Sequence, residues 1–446
     1  MEKYPPTNIR LLCNVLEWTG LHCQPNTKNW RGFLLQLFCY AQHCFIVLFL
    51  FLRFLNTCTR SVHYIPEFYQ MLVEDCALLF CYLKIQLLLY HRYSDIQSLT
   101  NLMENSFSNV DRKMTTACSR KSKIISMGFI FSALCLFITN FYDKMIVPLS
   151  ERVLHNEKHI NETKTFPCRK ILLKIYIPYV DECEFWPNIV INIFEFYLII
   201  VIVLAGFTLA SLMPAVIIQI EGQYRILNRY MKQIGKIHTD CKGNPIWFTN
   251  IENCDYVFVE NKCQPSTSKP SPLERIMLRK QRILNQILYE QSYVKQLVKF
   301  HQKLSKFQYK MANLFSWDMT ATISLYSLSL CLGLYQLTLN KGESLSFIRQ
   351  FKFVLEFFCI AAYYYYLCHC SNILDECQLK LARSLYKSDW YKCSRKTQKD
   401  LLVMLRQLQR SNHLKYNQGS LILNKVLFMK AAKFAYSFVN CIRVRR

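Results

Sequence analysis

Asp75 and Lys84 lie inside one apolar run, where opposite charges are what an intramembrane proton or ion relay needs. The same two groups can instead satisfy each other, or Lys84 can stretch its stem toward water at the end of the run. In the other apolar runs only Glu195 and Glu356 add carboxylates, fewer than a proton pump requires. Lys425, Lys430 and Lys433 fall within roughly a 140° arc of one helix. Three lysines cannot all face lipid, so either that helix starts below the membrane or its lysine face meets water. A polar-lined passage along it and a plain snorkelling helix end both fit. Cys368-His369-Cys370 offers metal-ligand types, but no second pair follows at zinc spacing. The chain has no phosphate loop, dinucleotide glycine run, His-Glu-x-x-His or Gly-x-Ser-x-Gly, so no enzyme, metal or cofactor is expected.

Seven apolar runs position these groups: 33–55, 68–90, 124–142, 189–220, 319–340, 353–372 and 419–439. Each matches the ~20 residues that a helix needs to cross a bilayer. The predicted fold class is therefore all-α, a seven-transmembrane helical membrane protein. The basic residues favour alternate gaps. Four precede the first run, six lie in the second gap, 16 in the fourth and ten in the sixth. Excess Lys and Arg mark the cytoplasmic side, which puts the amino terminus inside and the carboxyl terminus outside. No apolar run precedes Phe33, so the first span is expected to act as the targeting signal.

The division that follows has six parts: a cytoplasmic amino-terminal segment (1–32), four membrane helices (33–220) with an outer loop (147–188), and a cytoplasmic loop with helices (221–318). Then come helices five and six (319–372), a cytoplasmic anchor region (373–418), and the last helix with an outer carboxyl terminus (419–446). The net charge of +25 is absorbed by flanks that meet anionic headgroups, and membrane lipids rather than nucleic acid are the expected partners. Asn161 opens a glycosylation sequon in the outer loop. Cys168 and Cys183 share that loop and are the one disulfide candidate among 21 cysteines. Those in the runs behave as small hydrophobes. Residues 271–311 carry apolar side chains at helical spacing and read as a basic amphipathic helix. It could bind calmodulin or lipid, and packing against neighbouring elements is the favoured reading.

The carboxyl-terminal stretch resembles the insect odorant receptors. The residues that carry the resemblance begin with Cys377-Gln378, Leu381 and Lys387-Ser388-Asp389-Trp390-Tyr391. They continue through Lys399-Asp400-Leu401-Leu402, Gln409, Gly419 and Leu421, and end with Phe428-Met429-Lys430 and Ala435-Tyr436-Ser437-Phe438-Val439. A weaker match covers Ile177-Pro178-Tyr179, Phe185-Trp186-Pro187 and Gln223-Tyr224-Arg225-Ile226-Leu227. The chain departs from the pattern after Gln409, where Arg410-Ser411 stand in place of a frequent proline. It lacks the pore ending of the shared co-receptor and the Thr-Tyr…Gln-Phe ending of gustatory receptors.

The resemblance implies a divergent odour-tuning subunit. It would be an odorant-gated, non-selective cation channel in a hetero-tetramer with the co-receptor, in the plasma membrane of a sensory dendrite. A gustatory-type channel and a G-protein-coupled receptor are the alternatives, the latter with the opposite orientation. The last helix is expected to split into cytoplasmic and pore-lining halves, with Val439 at the gate beside Asn440 and Ile442. A small volatile organic ligand would sit among Met71, Leu72, Asp75, Phe137, Asn140, Phe141, Phe194, Tyr197, Phe351 and Leu355. Trp390 would lie at a subunit contact.

Overall fold

The computed structural model describes residues 30–59, 65–107, 111–145, 185–259, 272–339 and 347–444, with short pieces at 12, 14–15 and 19–21. Ten helices dominate them: α1 (Trp30–Thr59), α2 (Ile65–Ile85), α3 (Tyr93–Ser106), α4 (Arg112–Met145), α5 (Phe185–Met231), α6 (Pro272–Leu314), α7 (Ser316–Leu339), α8 (Phe347–Tyr386), α9 (Arg395–Leu408) and α10 (Lys425–Val444). Two small hairpins complete the fold. β1 (Ile246–Asn250) pairs antiparallel with β2 (Asp255–Phe258), and β3 (Lys415–Tyr416) with β4 (Leu421–Ile422). Six of the seven apolar runs lie in α1, α2 with its wider turn at Gln86–His91, α4, α5, α7 and α8, the fifth of them as far as Leu339, where the described residues stop. Within the described residues α1, α4, α5 and α8 meet the length and apolarity of a membrane span outright. In α2, α7 and α10, charges or hydroxyls dilute the apolar character.

The last run starts later than its composition implies. It was expected from residue 419, but α10 begins at Lys425. Asn417–Gly419 forms a tight turn between β3 and β4, with Gln418 at φ 57° and Gly419 at φ 94°. No helix continues through left-handed backbone. Asn424 then caps α10, its Oδ1 accepting from the Leu427 N–H at 2.7 Å. From there α10 runs unbroken to Val444 rather than in two halves, and α9 stands on the far side of the hairpin, within the anchor region.

Helix α5 is the axis of the bundle and packs against α2, α4 and α8. Its residues Ala205, Leu209, Leu212, Val216, Ile217 and Ile220 are buried. Pro214 inside α5 cannot donate to the Ala210 carbonyl four residues earlier. The Tyr363 hydroxyl from α8 donates to that carbonyl instead, at 3.0 Å. Beyond this bundle α5 runs on to Met231 and meets α6 antiparallel. Tyr293 OH donates to the Tyr230 carbonyl at 2.9 Å, and Tyr224 OH to Gln308 at 3.3 Å. Arg92 closes the break between α6 and α7 by donating to the Asn313 and Leu314 carbonyls at 3.1 and 2.9 Å. These are helix-end oxygens with no partner in their own helix.

Candidate functional site

The charges inside the apolar runs are paired across helices, which changes the reading of Asp75 and Lys84. Nine residues along a helix put them about 13 Å apart, so they do not meet. Asp75 accepts from Arg53 Nε at 2.6 Å and from Thr57 Oγ1 at 2.5 Å, tying α2 to α1. Arg53 is 1 % exposed and also reaches Glu74 at 3.2 Å. Lys352, at the start of α8, lies 3.7 Å from Glu74 and 3.9 Å from Glu356. Lys84 does not snorkel: it pairs with Asp318 of α7 at 3.2 Å, both side chains nearly sealed. A relay reading therefore gives way to two structural ion-pair groups, one toward each end of α2.

The expected ligand residues divide by location. Met71 is buried and Leu72 half-buried on α2. Phe137 of α4 meets Phe196 of α5 edge-on at 5.4 Å. Phe194 turns toward α1, where Phe45 stands at 5.5 Å. Tyr197 and Phe351 are 44 % and 49 % exposed in the single chain and face out of the bundle. Leu355 is half-buried on α8. Asn140 and Phe141 lie on α4, but their side chains fall outside the described residues, as do Asn161, Cys168 and Cys183. No disulfide joins the described cysteines.

Aromatic contacts that the sequence did not flag run from this region to α10. Phe129 of α4 touches Tyr363 and Tyr366 of α8 at 5.0 and 5.5 Å. Tyr326 of α7 lies 5.3 Å from Tyr363 and 6.4 Å from Tyr364. Tyr364 and Tyr365 each meet Phe428 of α10 at 5.5 Å. The run Tyr363–Tyr366 was the visible signal, because four consecutive tyrosines in an apolar helix need partners for their hydroxyls. Val439 of α10 is 4 % exposed, covered within its own chain, whereas Asn440 is exposed and Ile442 half-buried.

At the basic end, Glu221 pairs with Lys121 at 2.9 Å and with Arg225. Burial opposes its ionisation, but the two cations win and hold its carboxyl below the usual range. The signature residues have local reasons. Gln378 donates to the Gln407 and Arg410 carbonyls at 3.1 and 2.9 Å, closing the end of α9. Asp389 N–H donates to the Ile234 carbonyl at 3.2 Å, and Gly235 sits there with φ 75°. Any Cβ at Gly235 would lie 2.1 Å from the Asp389 oxygen. That contact docks the Trp390 turn, with Trp390 half-buried and Tyr391 exposed at 62 %.

In the β1–β2 region, Tyr289 OH donates to His238 Nδ1 and accepts from the Phe248 N–H at 3.1 Å. His238 Nε2–H donates to the Gln233 carbonyl at 3.1 Å. Burial holds His238 below its usual pKa and pushes Tyr289 up to about 12.

Comparison with known proteins matches this architecture. Two solved structures of the insect olfactory receptor OR5 from Machilis hrabei share the fold. The one in complex with eugenol has a TM-score of 0.66 at 14% identity over 98% of both chains. The other has 0.65 at 13% over 97% of both. No curated protein matches the chain. The family model described as 7tm Odorant receptor matches residues 65–436. Spanning most of the chain, from α2 into α10, that match shows that this multi-pass membrane protein belongs to the 7tm odorant receptor family.

Proposed function

We propose that this chain is an odour-tuning subunit of a ligand-gated, non-selective cation channel, assembled as a hetero-tetramer with the family's co-receptor in the plasma membrane. The observation that carries the reading is the aromatic connection from Phe129 through Tyr363, Tyr326 and Tyr364 to Phe428. It gives events among α4, α5 and α8 a packed route to the last helix. Packed aromatic edges have discrete arrangements rather than a continuous range. A ligand that binds better to one arrangement shifts the population toward it.

A small apolar odorant would bind between α2, α4, α5 and α8 near Met71, Phe137 and Leu355, on the side of the Arg53–Asp75 pair. Burial of its surface supplies roughly 25 cal/mol per Å². The relative solved with eugenol holds a ligand of that size and polarity. Trp390 and its exposed neighbour Tyr391 would meet an adjacent subunit.

The test is expression with and without the co-receptor while currents are recorded against an odour panel. Odour-evoked cation current that requires this chain supports the reading. Responses that need a G protein and no co-receptor would instead favour the receptor class of opposite orientation. An amino-terminal tag accessible in intact cells would point the same way.

A further inference from the structure

Helix α10 has three distinct faces, and they suggest which residues meet the ions. Ala435 and Val439 are buried against the subunit, 3 % and 4 % exposed, on the side where Phe428 meets α8. Directly opposite, Val426, Lys430, Lys433, Ser437, Asn440 and Val444 are exposed. At 3.6 residues per turn these six fall within an arc of roughly 80°. The middle of that stripe is polar. On one edge stand Met429 and Tyr436, 53% and 65% exposed, and on the other Phe434, 63% exposed, with Cys441.

A polar stripe between two apolar flanks is poorly suited to lipid. It fits a helix in a ring around water, with the stripe toward the axis and each flank against the last helix of a neighbouring subunit. No ion pair neutralises Lys430 or Lys433 among the described residues. Both lie in the first three turns of α10, near its junction with the basic end of the bundle.

We infer that Lys430, Lys433, Ser437 and Asn440 line the ion path, that Val439 faces away from it, and that the two lysines form a basic mouth that limits cation flow. This rests on the channel reading above. Rings of Lys or Arg favour anions over cations in a pore. The expected effect follows from Coulomb's law. One unit charge about 8 Å from the path, at the dielectric of water, changes local cation concentration roughly two- to threefold.

The experiment uses the full chain with its co-receptor. Lys430→Gln and Lys433→Gln should each raise unitary cation conductance by roughly two- to threefold, while Lys430→Arg and Lys433→Arg leave it unchanged. In a Cys441→Ser background, a cationic thiol reagent should cut odour-evoked current in Ser437→Cys and Asn440→Cys but leave Val439→Cys unaffected. Block at Val439→Cys with none at the other two would overturn the assigned face. Unchanged conductance in both glutamine variants would overturn the basic mouth. If reagent labels all three cysteines and none alters current, α10 does not line the path, and the channel reading of the last helix fails with it.

Discussion

The Lys84 ammonium lies 3.2 Å from the Asp318 carboxylate, joining the second and fifth membrane segments through a pair that is almost wholly sealed from solvent. Two charges that have both left water have only each other to offset the loss.

Removing one partner should therefore cost more than removing both. Lys84→Met or Asp318→Asn alone leaves an uncompensated buried charge, a loss of about 3–5 kcal/mol. The Lys84→Met/Asp318→Asn double variant should recover much of the surface expression and thermal stability of detergent-purified receptor. A double variant as unstable as the worse single one would show that the pair does not act as a unit.

Asp75 should behave as a structural residue rather than an odour contact. Its carboxylate is held by Arg53 at 2.6 Å and Thr57 at 2.5 Å. Asp75→Asn and Arg53→Met should both lower the amount of folded receptor without reordering responses across an odour panel. A changed odour ranking at normal surface level in Asp75→Asn would put the carboxylate in the ligand pocket after all.

Phe137 is the clearer ligand candidate, because it packs edge-on with Phe196 between α4 and α5. Phe137→Ala should shift the half-maximal odour concentration by about tenfold or more, the order expected for losing part of a large aromatic contact. Ion permeability, which the proposal above assigns to α10, should not move. Dose–response curves and reversal potentials in the same cells separate the two.

Packing around His238 should loosen in mild acid. Burial keeps its folded pKa below the ordinary 6.5, so the unfolded chain binds the proton more readily. The stabilising contribution is full above about pH 6.5 and is lost as pH falls below that value toward the folded pKa. Protonation also puts a hydrogen on Nδ1, which now accepts from Tyr289. Trp247 stacks on Tyr289 at 5.4 Å and reports the change. Its fluorescence should shift reversibly between pH 7.5 and 5.5 by about the amount that one titrating group allows, and His238→Gln should abolish the pH dependence.

Aromatic coupling between α8 and α10 can be checked through Phe428. Phe428→Ala removes its contacts with Tyr364 and Tyr365. Maximal odour-evoked current should fall several-fold with little change in odour ranking, since the ligand region is untouched. A variant with normal maximal current would show that opening does not travel through this ring.

Much of the architecture was legible in the chain because hydrocarbon is an unforgiving solvent. A bilayer accepts only long apolar helices, so the runs around 189–220 and 353–372 announced α5 and α8. Apolar spacing likewise marked α6 to within a few residues, since a half-buried helix must repeat every 3.6 residues. Cys377-Gln378 and Ser388-Asp389-Trp390 stood out in the family pattern, although their duty of closing α9 and docking on Gly235 was not visible. The β1–β2 hairpin was missed because its alternation covers only a few residues.

What the tertiary structure alone decided is who meets whom. Asp75 and Lys84 advertised buried charge, but their partners, Arg53 and Asp318, lie 22 and 234 positions away, and no local spacing encodes such a meeting. The lysine arc of α10 was readable from its period, yet period fixes only relative angles. The contact of Phe428 with Tyr364 set the absolute rotation, turning Val439 inward and Asn440 outward.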